Sequence, residues 1–350
     1  MWGYRILIMK KNLVIISNDR FYYENNSFFC DHVAEKTLPD GLSKKFSTLV
    51  IGRGTSIKRS HNLEIKSVKT YKFLIFYLIE ILKKIIEKKS KFLILSISPY
   101  TFFATLLFLF SNQKPIIYLR SDGYQEYKSI LGYLGPIIYS VMFNIASKIS
   151  NFISCRNYIL RDKRGKLVSP SELTSNWSIN TSKPNFKEVK LLYIGRVKVE
   201  KGIFSLINLL KDNSKNITLT IVGESEQTKN IINQDKVNIY PIEKNNEKLI
   251  KHYDDNNIFI LPSYTEGHPM VLLEALARRR PVIIFEEIKH VIGDKKGIFV
   301  AKRNPTSLFE TINQIKENYN EIYEEMKNNN LPTKNDFLKE FGDLISNFEQ

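Results

Sequence analysis

PSYTEGHPMVLLEALARRRPV, residues 262–282, follows a short apolar run at 258–261. The run is typical of a buried strand, and Gly267 and Pro269 predict a turn before a helix over residues 270–277. The backbone N–H groups of this turn and the positive end of the helix dipole would then lie at the carboxyl end of a strand. Such a place favours an anionic ligand.

Two acidic residues, Glu266 and Glu274, flank the same turn. Because carboxylates repel phosphate, we expect them to face the hydroxyl groups of a ligand whose anionic part is bound by the turn. A sugar nucleotide has both parts. The alternative is that Glu266 is an ordinary loop residue and Glu274 a solvated helix residue.

The composition is that of a globular protein with room for two domains. The chain has 350 residues, of which 43% are apolar and 25% are charged. Its two cysteines, Cys30 and Cys155, have no metal-like or disulfide-like spacing, so a reducing, cytoplasmic setting is expected. Residues 1–8 lack a small-residue cleavage site, so no cleavable signal peptide is predicted, and Met9 is an alternative start.

The excess positive charge lies entirely in the first half of the chain. The formal net charge is +16, and residues 1–185 have 28 Lys and Arg against 12 Asp and Glu, whereas residues 186–350 have 24 of each. This asymmetry predicts an anionic partner for the N-terminal half. We expect an acidic membrane surface and no nucleic acid, since no nucleic-acid-binding motif accompanies the charge. A solvated, lysine-rich surface is the alternative.

Short apolar runs alternate with helical patterns along the whole chain. This alternation predicts α/β domains with mostly parallel sheets. The absence of a G-x-G-x-x-G sequence disfavours a nicotinamide or flavin enzyme. The predicted strands are residues 13–17, 48–51, 92–97, 115–119 and 152–154 in the first half, and 190–194, 217–222, 237–240, 258–261 and 282–285 in the second.

Two apolar segments raise the question of membrane contact. Residues 92–110 approach the length of a membrane span, but Ser98 and Pro99 divide them, so a strand followed by a buried helix is expected. Residues 71–91 predict an apolar helix with a lysine-rich end. Packing on a sheet is the usual role of such a helix, and lying on a membrane surface is the alternative.

A polar stretch at 180–186 contains Pro184 and predicts a domain boundary. The predicted domains are residues 1–183 and 184–335. Residues 336–350 have apolar residues at helical spacing and predict a last helix that packs on another element.

A second loop follows the predicted strand at 190–194, in the sequence KLLYIGRVKVEKGIFSLINLL. Gly195 lets a ligand approach the backbone. Arg196 offers bidentate phosphate contacts and Lys201 a compact charge, so the pair suits a diphosphate. Taken alone, such a pair is more commonly part of a solvated loop.

Together the two loops resemble the retaining glycosyltransferases of GT-B fold, the family that includes glycogen and sucrose synthases and many polysaccharide and lipopolysaccharide enzymes. The resemblance covers residues 188–312. It rests, in chain order, on Gly195-Arg196 with Lys201-Gly202, on Val222-Gly223-Glu224, and on the segment with the paired glutamates. It implies an α/β protein of two Rossmann-like domains facing across a cleft. The first would bind the acceptor and the second the nucleotide-sugar donor, and the last helix would return to the first.

The resemblance also implies residue roles. Arg196 and Lys201 would bind the donor diphosphate and stabilise the leaving nucleotide, Glu266 would contact the donor sugar, and Glu274 would accept hydrogen bonds from the ribose. A donor phosphate oxygen would take the acceptor proton, so no protein nucleophile, metal or other cofactor is expected. The further donor-binding residues it implies are Gly195, Gly223, Gly267, His268, Pro269, Met270 and Val271.

The chain departs from the family pattern in four places, one of which is the missing second glycine after Gly223. It has Ser17-Asn18-Asp19-Arg20 where a glycine-rich loop is usual. It has Arg120-Ser121-Asp122 where a histidine commonly lies near the donor sugar, so Arg120 or Asp122 is the expected contact from the first domain. Arg278-Arg279-Arg280 replaces a turn of small residues and predicts a basic surface.

The expected activity is transfer of a sugar from a UDP- or GDP-type donor to a hydroxyl of a glycan or lipid-linked acceptor. Such a reaction belongs to cell-surface polysaccharide or lipopolysaccharide synthesis, on the cytoplasmic face of the membrane. The sugar, the acceptor and the linkage are open. Two other functions also remain open: a sugar-nucleotide epimerase of the same fold, and a sugar- or anion-binding protein without turnover.

Overall fold

The computed structural model describes residues 10–211, 216–223 and 236–348. Met9 and Glu224, both named above, lie outside these residues. The chain forms two compact units: unit 1 consists of the residues up to Ser169 together with those from Asn335 onward, and unit 2 is Pro170–Lys334.

Unit 1 is a mixed sheet with helices on both faces. Its strands are β1 (Asn12–Glu24), β2 (Ser27–Cys30), β3 (Ser47–Thr55), β4 (His61–Asn62), β5 (Val68–Tyr71), β6 (Ser90–Leu95), β7 (Ile116–Leu119), β8 (Asn151–Ser154) and β9 (Gly165–Leu167). Its helices are α1 (Val33–Leu42), α2 (Leu74–Ile86), α3 (Pro99–Leu106), α4 (Gly123–Leu131), α5 (Leu134–Ile149), α6 (Asn157–Leu160) and α12 (Lys334–Asn347). The parallel strands run in the order β5-β3-β1-β6-β7-β8-β9, and β2 and β4 add an antiparallel edge at the end of β1.

The sheet of unit 1 is buried on both faces. Leu13, Val14, Ile15 and Ile16 of β1 are all buried, as expected for a central parallel strand. Helices α2, α3 and α5 contribute to the core on one face, and α1 and α12 to the core on the other. Lys91 donates to carbonyls at the C-terminal end of α12, a position where a cation is favourable.

Unit 2 is a parallel sheet in the order β12-β11-β10-β13-β14-β15. Its strands are β10 (Val189–Ile194), β11 (Ile217–Val222), β12 (Val237–Tyr240), β13 (Ile258–Leu261), β14 (Val282–Phe285) and β15 (Ile298–Ala301). Its helices are α7 (Ile203–Leu210), α8 (Asn246–Asp255), α9 (Met270–Ala277), α10 (Pro305–Glu317) and α11 (Tyr319–Met326). Every predicted strand is present in the two units, whereas β2, β4, β5, β9 and β15 were not predicted.

The apolar segment at 92–110 forms β6 and α3, as predicted. Ser98 caps α3 and Pro99 occupies its first turn, which explains why the run does not continue as one long helix. Among the described residues, no helix is both long and apolar enough to cross a membrane.

The two units divide before Pro170, earlier in the chain than the predicted boundary at 183/184. Leu173 and Trp177 are buried in the core of unit 2. The segment that contains them therefore belongs to unit 2, despite its polar composition.

The prediction of a basic surface at 278–280 is wrong for two of the three arginines. Arg278 and Arg280 are only 2% and 1% exposed. Arg278 binds both carboxylate oxygens of Asp254, at 2.9 and 2.7 Å. Its remaining N–H groups donate to the carbonyls of Trp177, Ile179 and Asn180, and Arg280 donates to the Ser182 carbonyl. The hydrogen bonds of the two arginines therefore connect the segment 177–182 to the rest of unit 2.

Candidate functional site

The two loops predicted to bind a nucleotide sugar lie side by side in unit 2. They follow β10 and β13, which are neighbours in the sheet. The Tyr264 N–H of one loop donates to the Glu200 carbonyl of the other at 3.0 Å. Gly202 has φ +68°, and a Cβ atom there would lie 1.9 Å from the Pro262 carbonyl oxygen. Only glycine permits this approach.

A second close contact joins Gly195 to Gly223. A Cβ atom on Gly223 would lie 1.9 Å from the Gly195 carbonyl oxygen. The Gly195 N–H donates to the Val222 carbonyl and continues the ladder between β10 and β11. The loop after β10 is therefore held against its neighbours at both ends.

Lys201 and Glu266, predicted to lie at the donor, form an ion pair. Lys201 Nζ is 2.6 Å from Glu266 Oε1, and the two side chains are 20% and 11% exposed. Ser263 Oγ donates to the same carboxylate oxygen at 2.7 Å. A partly desolvated pair of this kind is held in one place, and its lysine is still within reach of solvent.

Arg196 is fixed at its backbone and exposed at its side chain. The Tyr193 hydroxyl donates to the Arg196 carbonyl at 2.7 Å. The side chain is exposed on the loop that carries Lys201. Of the three cations on this loop, Lys201 is paired with a carboxylate, whereas Arg196 and Lys198 are open to solvent.

Glu274 lies in the second turn of α9 and is mostly buried. The Tyr253 hydroxyl donates to Glu274 Oε2 at 2.8 Å. Burial raises the pKa of Glu274 to about 7, the negative charge of Glu172 adds to this effect, and the Tyr253 hydrogen bond opposes it. Glu274 can therefore change its charge near neutral pH.

The remaining predicted residues form the loop before α9. Pro269 lies at the N-cap, and the helix begins at Met270, as predicted. His268 Nε2 donates to the Pro170 carbonyl at 2.8 Å, which fixes the loop against the start of unit 2. Gly267 and Val271 lie on either side of this turn and are partly buried.

Two residues of this region were not predicted. His290 Nε2 donates to the Glu266 carbonyl at 2.7 Å. The Arg303 guanidinium lies over the rings of Tyr264 and Phe285, at 4.1 and 4.3 Å from their centroids. Nη1 of Arg303 is buried and has no hydrogen-bond partner among the described residues. Neither residue belongs to a local sequence pattern, so only the fold brings them to the two loops.

Arg120, the predicted contact of the first domain, lines a pocket of about 770 Å³ in unit 1. Its Nη2 atom donates to Glu35 Oε1 at 2.7 Å, and Ser17 Oγ donates to Glu35 Oε2 at 2.8 Å. Asp19 lines the same pocket, and its Oδ2 atom is buried without a hydrogen-bond partner among the described residues. Burial and the nearby Glu35 carboxylate raise the pKa of Asp19. The pocket thus contains a carboxylate oxygen that can accept a hydrogen bond from a hydroxyl group.

Asp122, the alternative to Arg120, has other partners in unit 1. It caps α4 by accepting from the Tyr124 N–H at 3.0 Å, and it pairs with Arg161 at 3.2 Å. It is not among the residues that line the pocket. In the described part of the chain, no group of three or more His, Cys, Asp or Glu residues is arranged to hold a metal ion.

The fold is similar to that of solved structures that include a glycosyltransferase and a protein bound to UDP and glucose. Anabaena Alr3699/HepE, solved in complex with UDP and glucose, is similar over 97% of this chain and 100% of its own, with a TM-score of 0.66 and 12% identity. WaaG, a glycosyltransferase involved in lipopolysaccharide biosynthesis, is similar over 96% and 100%, with a TM-score of 0.65 and 13% identity. The fold is therefore GT-B.

The sequence comparisons show similarity to glycosyltransferases. CapM of Staphylococcus aureus, a capsular polysaccharide biosynthesis glycosyltransferase, is 27% identical in an alignment 263 residues long that covers 65% of this chain and 68% of CapM. Residues 178–331 match the family model of glycosyl transferases group 1. This part of the chain is therefore similar to glycosyl transferases group 1, which confirms the resemblance to glycosyltransferases of GT-B fold seen in the sequence.

Proposed function

We propose that the protein is a retaining glycosyltransferase that moves a sugar from a nucleoside-diphosphate sugar to a hydroxyl group of a glycan or lipid-linked acceptor. The observation that carries the proposal is the arrangement at the carboxyl edge of the unit 2 sheet. There, a close contact at Gly202 joins the two loops, and Lys201, which shares its loop with the exposed Arg196, pairs with Glu266.

In the proposed site, the diphosphate lies against the loop after β10. Arg196 and Lys201 would neutralise it, and the unpaired Nη1 of Arg303 is a further donor beside the same loops. As the bond between the sugar C1 atom and the phosphate oxygen breaks, these cations stabilise the negative charge on the leaving diphosphate. A metal ion is then not required.

The acceptor oxygen forms the new bond to C1 on the same face of the sugar, and its proton passes to an oxygen of the departing phosphate. Glu266 would contact the hydroxyl groups of the donor sugar and Glu274 those of the ribose. Neither carboxylate acts as a nucleophile in this scheme, and no cofactor takes part.

The relatives support a donor and an acceptor class. HepE was solved with UDP, which supports UDP as the nucleotide and leaves GDP as the alternative to test. CapM and WaaG are described as enzymes of capsular polysaccharide and lipopolysaccharide biosynthesis. We therefore propose a glycan or lipid-linked acceptor in cell-surface polysaccharide or lipopolysaccharide synthesis, with the protein on the acidic cytoplasmic face of a membrane.

The first test is nucleotide binding by thermal shift. UDP, GDP, ADP and their sugars are titrated against the whole chain, since a ligand that binds only the native state raises the melting temperature. Lys201→Ala should weaken nucleoside-diphosphate binding and lower kcat/KM about 100-fold or more, while binding of the free nucleoside stays unchanged. Lys198→Ala, in an exposed lysine of the same loop, is the matched control and should retain both.

The outcomes separate the proposal from its alternatives. A transferred product with the anomeric configuration of the donor, seen by NMR, supports retaining transfer. Interconversion of the donor sugar without a transferred product would indicate an epimerase. Binding of nucleotide sugars without turnover would indicate a binding protein, and equal behaviour of Lys201→Ala and Lys198→Ala would refute the site.

A further inference from the structure

Three helices form a layer on one face of the unit 1 sheet. Tyr77 of α2, Ala104 of α3 and Phe143 of α5 belong to one buried cluster with strand residues of that face. Helix α3 contacts both α2 and α5. The outward sides of these helices are therefore parts of one surface.

Helix α5 is apolar on its outward side as well as on its inward side. It buries Tyr139, Met142, Phe143 and Ala146, and it exposes a second apolar stripe. That stripe consists of Leu134, Ile137, Ile138, Val141 and Ile145, each between 36% and 66% exposed. The spacing places them on one helix face, and a helix that is apolar all round is usually covered on every side.

The outward side of α2 has the same character. Phe76, Ile79, Leu82 and Ile86 are exposed apolar residues, spaced three or four positions apart. The turn at 107–110, which follows α3, ends in Phe110, whose exposed fraction is 91%. We call the exposed apolar side chains of α2, this turn and α5 the outer helix surface.

The opposite face of the same sheet shows that this exposure is not general in unit 1. Helix α12 buries Phe337, Phe341 and Ile345, as an amphipathic helix does. Its exposed residues are polar or charged: Asn335, Asp336, Lys339, Glu340, Asp343 and Asn347. The exposed face of α12 is therefore suited to contact with water. The outer helix surface is apolar, which indicates a partner other than water.

The charges around the outer helix surface identify the partner. Within residues 71–150, the only exposed acidic residues are Glu87 and Glu126. The exposed lysines of the same segment are Lys72, Lys83, Lys88, Lys89, Lys114, Lys128 and Lys148. A second copy of the chain would bring lysines against lysines, which repel. A lipid layer has an apolar interior for the exposed apolar side chains and anionic headgroups for the lysines.

We propose that the outer helix surface docks on an anionic lipid bilayer, with α2 and α5 lying in the plane of the membrane. Their apolar side chains enter the acyl boundary and the surrounding lysines contact the phosphate headgroups. This inference extends the membrane association put forward above and names the surface responsible for it.

The test is co-sedimentation of the whole chain with vesicles. Vesicles of phosphatidylcholine alone are compared with vesicles that contain phosphatidylglycerol, at low and at high salt. The wild type should sediment with the anionic vesicles, and salt should weaken its binding. Ile137→Ser combined with Val141→Ser should lower the affinity about tenfold or more at either salt concentration. Lys88→Glu combined with Lys89→Glu should cause a similar loss at low salt only.

Matched controls lie in unit 2 and do not belong to the outer helix surface. Ile242→Ser replaces an apolar residue that is 53% exposed, and Lys244→Glu with Lys248→Glu reverses two exposed lysines. All should bind vesicles like the wild type. Fluorescence of a Phe110→Trp variant should be quenched by lipids with brominated acyl chains, because that position enters the bilayer.

The proposal would be overturned if the wild type failed to sediment with anionic vesicles, or if the surface variants bound vesicles as well as the controls do. It would also be overturned if the fluorescence of the Phe110→Trp variant were not quenched. So would a wild-type dimer, measured by light scattering, that the Ile137→Ser, Val141→Ser variant converts to a monomer. Nucleotide-sugar binding is measured on every variant. If it is retained while vesicle binding fails, only the docking surface is refuted; if it is absent while vesicle binding holds, only the proposed transferase function is refuted.

Discussion

The two units place polar groups at the carboxyl edge of a parallel sheet in different ways. In unit 2, a backbone contact at Gly202 joins the two loops, a second contact at Gly223 holds the loop after β10 against the end of β11, and Lys201 and Glu266 bind each other. In unit 1, the edge is an open pocket whose polar groups are side chains, and Asp19 has a buried oxygen without a partner there. Close backbone contacts therefore position the loops at the unit 2 edge, whereas side chains form the pocket at the unit 1 edge.

This difference explains which edge can be recognised in a sequence. A loop that needs glycine at fixed positions leaves a local pattern, because no other residue fits. A pocket formed by side chains after separate strands leaves no such pattern. We infer that unit 2 tolerates little change at its edge, and that unit 1 can vary its pocket.

The largest expected effect concerns Arg278, which is buried in unit 2. Arg278→Ala removes a buried guanidinium from Asp254 and from three backbone carbonyls. It should lower the free energy of unfolding by about 3–5 kcal/mol, because the carbonyls and the carboxylate lose their donors. Urea denaturation, followed by tryptophan fluorescence, measures the change.

The neighbouring residue is the control for this substitution. Arg279 is only partly buried, and it donates to the Tyr323 hydroxyl and lies over the Tyr323 ring. Arg279→Ala should cost about 1 kcal/mol. If the two variants lost the same free energy of unfolding, Arg278 would behave as a surface residue, as the sequence predicted.

The next effect tests whether backbone geometry governs the unit 2 edge. Gly202→Ala places a Cβ atom against the Pro262 carbonyl and should destabilise the native state by about 1–3 kcal/mol. It should also abolish nucleotide-sugar binding, measured by calorimetry at a temperature where the variant is folded, because the two loops separate.

Gly132→Ala in unit 1 separates strain from loop contact. Gly132 also has a positive φ, +60°, but a Cβ atom there meets nothing within 4 Å. This variant should lose stability and keep nucleotide-sugar binding. Retained binding in Gly202→Ala would show that the contact between the loops is not needed for the donor.

The sequence predicted the central strands of both units because their apolar runs are short and regularly interrupted. It also predicted the loops after β10 and β13, which depend on local residue order. It did not predict that Arg278 and Arg280 are buried, because their partners are carbonyls about 100 positions away in the chain. Short edge strands such as β4 and β9 are stabilised by their neighbours in the sheet and have no strong pattern of their own.

The smallest expected effect concerns the charge of Glu274. Burial raises its pKa from an ordinary value of 4.5 to about 7, so the native state binds a proton there that the unfolded state has lost. The contribution of this group to the free energy of unfolding is therefore present below about pH 4.5 and is lost as the pH rises through 7. If the carboxylate accepts hydrogen bonds from ribose, affinity for a nucleotide sugar should change in the opposite direction and rise about tenfold between pH 6 and pH 8.

Glu274→Gln tests this opposition directly, because the amide keeps the shape of the side chain but cannot ionise. In this variant, the affinity for a nucleotide sugar should no longer change with the ionisation of residue 274. The contribution of that ionisation to the pH dependence of the unfolding free energy should also be absent. A nucleotide sugar is the right probe, since its phosphates do not titrate in this range. A wild-type affinity that is constant between pH 6 and pH 8 would show that the donor does not bind the ionised Glu274, and the carboxyl would then be a buried partner of Tyr253 alone.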